Sequence, residues 1–303
     1  MITDRIASPK SKLQQSLPVA FSWFAVLLAS ALPIIIFRQF SDNTSASLWI
    51  GCIQAGCLLL LITSTFMWST IKGLRGFFIA LMVIVLGWNI VIPFVLDSDM
   101  WSNVSNTLPA GLALIVLNLI RLFPLPLMLL SLIGSNTKRQ DLFLVRGNVK
   151  ARSQFQFLGK QWAISWILIG IIFLLVAGLV LPAYLSLTMQ PSLSMLTRAV
   201  VNLPFIIIAA IMNSFNEEFE FRSVLLARLI PHVGRGQAIW LSTFLFGLAH
   251  FYGQPSGVVG VGLAGIAGLL WASSMLETRG IAWAWITHFV QDAVIFSFLI
   301  MYF

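Results

Sequence analysis

Apolar runs of about 20 residues recur along almost the whole chain, and each is long enough to cross the ~30 Å hydrocarbon layer of a bilayer as an α-helix. Nine such segments are read from the pattern: 17–37, 48–67, 76–96, 109–133, 162–187, 199–215, 238–251, 258–276 and 281–303. Lipid offers no water to backbone N–H and C=O groups, so these runs must satisfy their hydrogen bonds internally as helices. The expected fold class is therefore all-α, a polytopic transmembrane bundle of eight to nine spans. The sixth and seventh runs are short and broken by polar groups, as helices are where they line a protein-walled cavity. The first has a basic lead (Arg5, Lys10, Lys12) but is too long for a signal peptide and lacks a small-residue cleavage pattern.

Composition closes off other classes. Only 9% of the 303 residues are charged and 59% are hydrophobic, against roughly 25% charged in a soluble domain, so the partner of this surface is the lipid bilayer. The formal charge of +8 would suit nucleic acid, but the Lys and Arg residues are scattered between apolar spans without an aromatic-interleaved basic face. No nucleic-acid partner is expected, and the basic residues read as topology determinants. They concentrate in one polar stretch, 134–161, with Lys138, Arg139, Arg146, Lys150, Arg152 and Lys160, whereas the loop near Asp97 and Asp99 has none. Placing the basic stretch in the cytoplasm puts the N-terminus inside and, with nine crossings, Phe303 outside. The same stretch divides the chain into four helices in 1–133, a basic loop at 134–161, and five helices in 162–303. Cys52 and Cys57 lie in an apolar span and make neither a disulfide framework nor a zinc site.

The chemistry is concentrated late. All four glutamates (Glu217, Glu218, Glu220, Glu277) and all three histidines (His232, His250, His288) follow residue 216. In Glu217-Glu218-Phe219-Glu220-Phe221-Arg222, helical spacing puts Glu218 and Arg222 one turn apart as an ion pair and turns Glu217 about 100° away, without a local partner. His250 closes the apolar run Phe244 to His250, with Phe246 one turn before it on the same face. His288 and Asp292 share one face of the last span, where the carboxylate could orient the imidazole or both could ligate a metal. Earlier in the chain, Arg121 stands mid-span, where a charge costs ~2.5 to 3.5 kcal/mol unless paired or solvated. It is read as half of a buried pair, or as a binder of a substrate carboxylate. Gly260, Ala264 and Gly268 recur every fourth residue and predict close helix packing against the catalytic elements. His232, in the turn Pro231 to Gly236, reads as a loop residue, and Glu277 as a helix end beside Arg279.

The three motifs in order, E-E-x-x-x-R, F-x-x-x-H and H-x-x-x-D, resemble the CAAX prenyl protease type 2 and bacteriocin-processing (CPBP) family of intramembrane proteases. The resemblance covers about 199–298 and implies a peptidase in which Glu217 is general base on a water, His250 assists it, and His288 with Asp292 completes the site. Glu218 and Arg222 become a supporting pair. The family's third motif often ends in Asn, which can donate to an oxyanion, whereas an ionised Asp292 cannot. Two chemistries stay open: water polarised directly by Glu217 and His250, or a Zn2+ held by Glu217, His250 and His288. A Glu in a water-poor cavity suits general-base work in either. The implied substrate is a peptide or membrane-anchored protein cut near the cytoplasmic face, with a bacterial cytoplasmic membrane as the implied location. No prenyl-binding signature marks the substrate as a prenylated tail. The alternative is a non-proteolytic membrane scaffold or immunity-like protein that binds a peptide or partner in the same cavity. A proton-coupled transporter would also use intramembrane charge, but no inverted repeat of broken helices is present.

Overall fold

A computed structural model describes residues 12–41, 46–135, 137–157 and 160–302. Arg5, Lys10 and Phe303, which entered the topology argument, lie outside the described residues. The chain is helical along nearly all of this length. Among the described residues six helices are long and apolar enough to cross a membrane, or up to seven if one bent pair is a single span. After a shorter apolar helix α1 (Lys12–Ala29) come α2 (Ser47–Met67), α3 (Lys72–Leu96), α4 (Ala110–Leu132) and α5 (Trp166–Met189). The bent pair is α6 (Leu193–Val201) followed, at 68°, by a helical run to Ala249. That run comprises α7 (Leu203–Glu218), a π-helical turn over Phe219–Val224, and α8 (Leu225–Ala249). Two spans complete the bundle, α9 (Gly257–Thr278) and α10 (Ala282–Leu299, extended by a 3-10 turn to Tyr302).

The all-α expectation holds, but nine separate crossings do not emerge by length and composition. The first expected span is divided at Ser30 and Ala31 between α1 and a six-residue helix, Leu32–Phe37. The sixth and seventh remain two helices: the chain reverses at Gly234, whose φ of 80° no helix can absorb, and the two fold back on each other so that Ser242 donates to the Phe221 carbonyl at 2.6 Å and Phe246 meets Phe221. The Pro231 to Gly236 segment is thus the expected turn, between two helices, although His232 lies in helical backbone just before Gly234 rather than in a loop. The basic segment departs from helix altogether: Phe155–Phe157 and Lys160–Trp162 pair as a two-stranded antiparallel ladder.

Burial sorts the helices. α5 turns Ile167, Leu168, Ile171, Ile172, Leu175 and Leu179 outward, the surface a lipid-facing helix presents. α9 and α10 are the most enclosed of the six spans, half and 44% buried along their apolar windows. They pack against α8 and α7 respectively, so the four elements that carry the sequence motifs meet at the centre. Small residues permit this approach, as the recurring glycines of α9 require. A Cβ on Gly268 would stand 3.0 Å from the Arg222 guanidinium and 3.3 Å from the Phe246 ring, and one on Gly260 would collide with the Pro255 carbonyl oxygen and crowd that of His250. Gly262, on another face of the same helix, meets nothing.

The two faces predict opposite outcomes for one substitution. Gly260→Ala must displace the 250–257 loop and should cost about 1–3 kcal/mol by overpacking, whereas Gly262→Ala should be neutral or slightly stabilising through helix propensity. Thermal unfolding of the two variants in detergent checks this, and equal midpoints would contradict the packing.

Candidate functional site

Six side chains from three motifs were expected together, and the structure brings five of them into one cluster with the sixth beside it. α7 supplies Glu217 and Glu218 at its end, the π turn supplies Arg222, and α10 supplies His288 and Asp292. His250 caps the C-terminal end of α8. All but His250 are at most 9% exposed. π turns insert one residue into the helical ladder and recur at functional sites, and this one begins directly after Glu218.

Glu218 is the hub. Its Oε1 stands 3.1 Å from Arg222 and accepts from His288 Nδ1 at 2.8 Å. The expected ion pair with Arg222 is present, but the carboxylate also fixes an imidazole from another helix, which one-turn spacing could not disclose. Aromatic faces surround both the guanidinium and the imidazole. The Arg222 guanidinium lies 3.7 Å over Phe246 and 5.0 Å from Trp271, and the His288 ring stacks on Trp271 at 3.9 Å with 14° between planes. Such faces carry negative quadrupole density and stabilise cations most when desolvated. Trp271 is itself held by donating to Thr287 Oγ1 at 3.0 Å.

With Nδ1 turned to Glu218, His288 directs Nε2 at two carboxylates, 3.5 Å from Glu217 Oε2 and 3.6 Å from Asp292 Oδ1. Those same two carboxylates are tied by Asn213, whose Nδ2 donates 3.0 Å to Glu217 Oε1 and 3.0 Å to Asp292 Oδ2. Asn213 was not anticipated. Its signal was available, since it stands one turn before Glu217 inside an apolar run, the position from which an amide reaches a carboxylate on its own helix. The link to Asp292 was not, because it crosses between helices. Arg121, the mid-span cation of α4, lies within electrostatic reach of Glu217 and Asp292, and its carbonyl accepts from Asn216. Glu220 is fully buried and accepts from Trp88 Nε1 at 2.8 Å.

His250 is oriented differently. Its Nδ1 stands 2.8 Å from the Phe246 carbonyl oxygen, which can only accept, so Nδ1 carries the hydrogen and neutral Nε2 keeps its lone pair. Its ring rests against Phe246, 4.3 Å between centroids, within electrostatic reach of Glu217 and His288. Several buried oxygens here have no protein partner, including Glu217 Oε2, Glu218 Oε2 and Asn213 Oδ1. Buried polar atoms are normally hydrogen-bonded, so the cluster holds more acceptor capacity than its own side chains satisfy. Among the described residues no group of three His, Cys, Asp or Glu side chains is disposed to hold a metal ion. His250 and His288 each turn Nδ1 to a protein oxygen, the Phe246 carbonyl and the Glu218 carboxylate, which leaves Nε2 as the ring nitrogen free of that bond.

Fold and site together define an integral membrane protein with a carboxylate and imidazole cluster buried among its helices. Residues 199–294 match the family model of the Rce1-like type II CAAX prenyl endopeptidases, the family that the three motifs resemble. The matched segment contains every motif residue named above and less than half of the chain. No curated protein and no solved structure matches the chain.

Removing the hub should be costly. Glu218→Ala leaves Arg222 and His288 buried without their shared carboxylate and should destabilise by about 3–5 kcal/mol. Pairing it with Arg222→Met removes the uncompensated charge and should recover part of the loss. Unfolding midpoints of the single and double variants decide it, and a double variant no better than the single would deny Glu218 this role.

Proposed function

We propose that the chain is an intramembrane endopeptidase that hydrolyses a peptide bond with water activated by Glu217 and His250. The observation that carries this reading is the facing of Glu217 Oε2 and His288 Nε2 across 3.5 Å inside the family-matched segment. A base and a prospective hydrogen-bond donor thus border one small polar space. A second support is the fixed tautomer of His250, which leaves a lone pair available to accept from the same water.

In this reading Glu217 takes a proton from water as the hydroxyl oxygen bonds to the scissile carbonyl carbon. The carbonyl electron pair moves onto oxygen, and the resulting oxyanion is met by the N–H of His288. Collapse re-forms the carbonyl and breaks the C–N bond, and the leaving amine receives the proton that Glu217 took. Glu218 holds His288 through Nδ1 and so keeps Nε2 turned to the reacting carbonyl. Asn213 fixes Glu217 and Asp292 in register, and Asp292 faces His288 from the far side. The substrate class is a peptide or membrane-anchored protein. We assign the basic stretch to the cytoplasmic side, which places the N-terminus inside.

The test is cleavage of a quenched-peptide library by purified protein in detergent. Glu217→Gln and His250→Ala should each lower kcat by at least about 10²-fold, the ordinary contribution of general acid–base groups. Undiminished cleavage by Glu217→Gln would remove Glu217 as the base. Incubation with a strong chelator separates the two chemistries: an unchanged rate assigns the water to Glu217 and His250 alone, and a loss restored by Zn2+ assigns it to a bound metal.

A further inference from the structure

We propose that the strap joining α4 to α5 is a binding site for the phosphate of an anionic phospholipid headgroup, centred on Lys138 and Arg139. The strap begins just after Leu132 and ends at Trp166, the ends of two membrane-spanning helices. It therefore lies at headgroup depth whichever way the bundle is oriented. Between residues 134 and 161 six basic residues stand against one acidic residue, Asp141. Lys138, Arg139, Arg146, Lys150 and Arg152 are all exposed.

These charges are not cancelled from within. The Asp141 carboxylate accepts from the Lys138 backbone N–H at 2.8 Å, which spends it on the turn rather than on a side-chain cation. The nearest other carboxylate, Glu277, is engaged by Arg235, Trp166 and the Gln154 N–H. Arg139 and Arg152 reach only neutral backbone carbonyls, of Leu144 and Ala163. Among the described residues no strap cation stands within ion-pair distance of a carboxylate.

The strap is also preorganised, which distinguishes it from a flexible basic tail. Val145 and Asn148 exchange backbone hydrogen bonds with Ile281 and Thr278 at the α9–α10 turn, and Gly147, at φ +72°, packs so closely on Gly280 that a side chain would meet backbone at 2.8 Å. Leu142 is buried beneath it. Beside this clamp a hollow of about 420 Å³ opens between Lys138, Arg139, Gln140 and Val145. It combines room for a phosphodiester with two cations and an amide donor. A phosphate group at the membrane surface is the anion such a hollow meets most often, and each basic residue near an anionic surface strengthens binding about fivefold.

The test reads binding alone, so it is separable from the peptidase reading. The full chain, stripped of lipid in detergent, is titrated by native mass spectrometry with short-chain phosphatidylglycerol, short-chain phosphatidylcholine and inorganic phosphate. Native protein should retain phosphatidylglycerol at least tenfold more tightly than either of the others. Lys138→Gln with Arg139→Gln should weaken it by about thirtyfold, while the equal charge loss of Arg38→Gln with Lys72→Gln changes it less than threefold. Both double variants must keep the native gel-filtration profile. Equal weakening in the two would show diffuse attraction and overturn the site. Inorganic phosphate binding as tightly as phosphatidylglycerol would make it a free-anion site, and phosphatidylcholine binding equally would remove the role of charge; either result overturns the lipid assignment.

Discussion

A charged side chain among membrane helices survives only if something replaces water, and this bundle is organised around that requirement. Glu218 supplies one oxygen to both Arg222 and His288, and Trp271 and Phe246 supply π faces to the same two side chains. Neither device suffices alone. A guanidinium whose nitrogens lack hydrogen-bond partners would be expelled from hydrocarbon, but opposite charge at 3.1 Å and an aromatic face at 3.7 Å act together in a low-dielectric interior. The partners come from α7, the π turn, α8, α9 and α10, so the cluster forms only when those elements are assembled.

That dependence gives the glycines of α9 their meaning. Gly268 lets Arg222 and Phe246 lie against the helix backbone, and Gly260 lets the loop after His250 fold over it. Space that a larger residue would fill is occupied by a cation and by the chain that ends α8. The same economy operates at the opposite end of the helix, where Gly147 and Gly280 bring the strap onto the α9–α10 turn. The strap is thereby joined rigidly to the helix that carries His288.

How far the chain could be read in advance follows from the range of each interaction. Apolar runs with internal hydrogen bonding are local, and the helices appear where they were expected. Glu218 and Arg222, or His288 and Asp292, are one turn apart and equally legible. The number of crossings was not, because the first run divides at Ser30 and a 68° bend between α6 and α7 falls inside the sixth, where hydropathy shows single spans. Nor were Asn213 bridging to Asp292, Trp271 stacking on His288, or Glu277 gathering Arg235, Trp166 and Gln154. Each of these joins elements far apart in sequence, and a single chain carries no periodicity that reports them.

Asp292 shows how such a long-range contact changes chemistry. Motifs of the resembling family often place Asn at this position, and a carboxylate there loses an amide donor. Here an amide enters from the other helix: Asn213 Nδ2 holds both Asp292 and Glu217 at 3.0 Å. With those oxygens so engaged, the remaining carboxylate oxygens face His288 Nε2 at 3.5 and 3.6 Å. The Asp and Asn forms of the motif are then not equivalent parts in one frame. In this chain the amide that restrains the carboxylate stands on α7, where Asn213 ties Asp292 to Glu217 across two helices, while Glu218 holds the other nitrogen of the His288 ring.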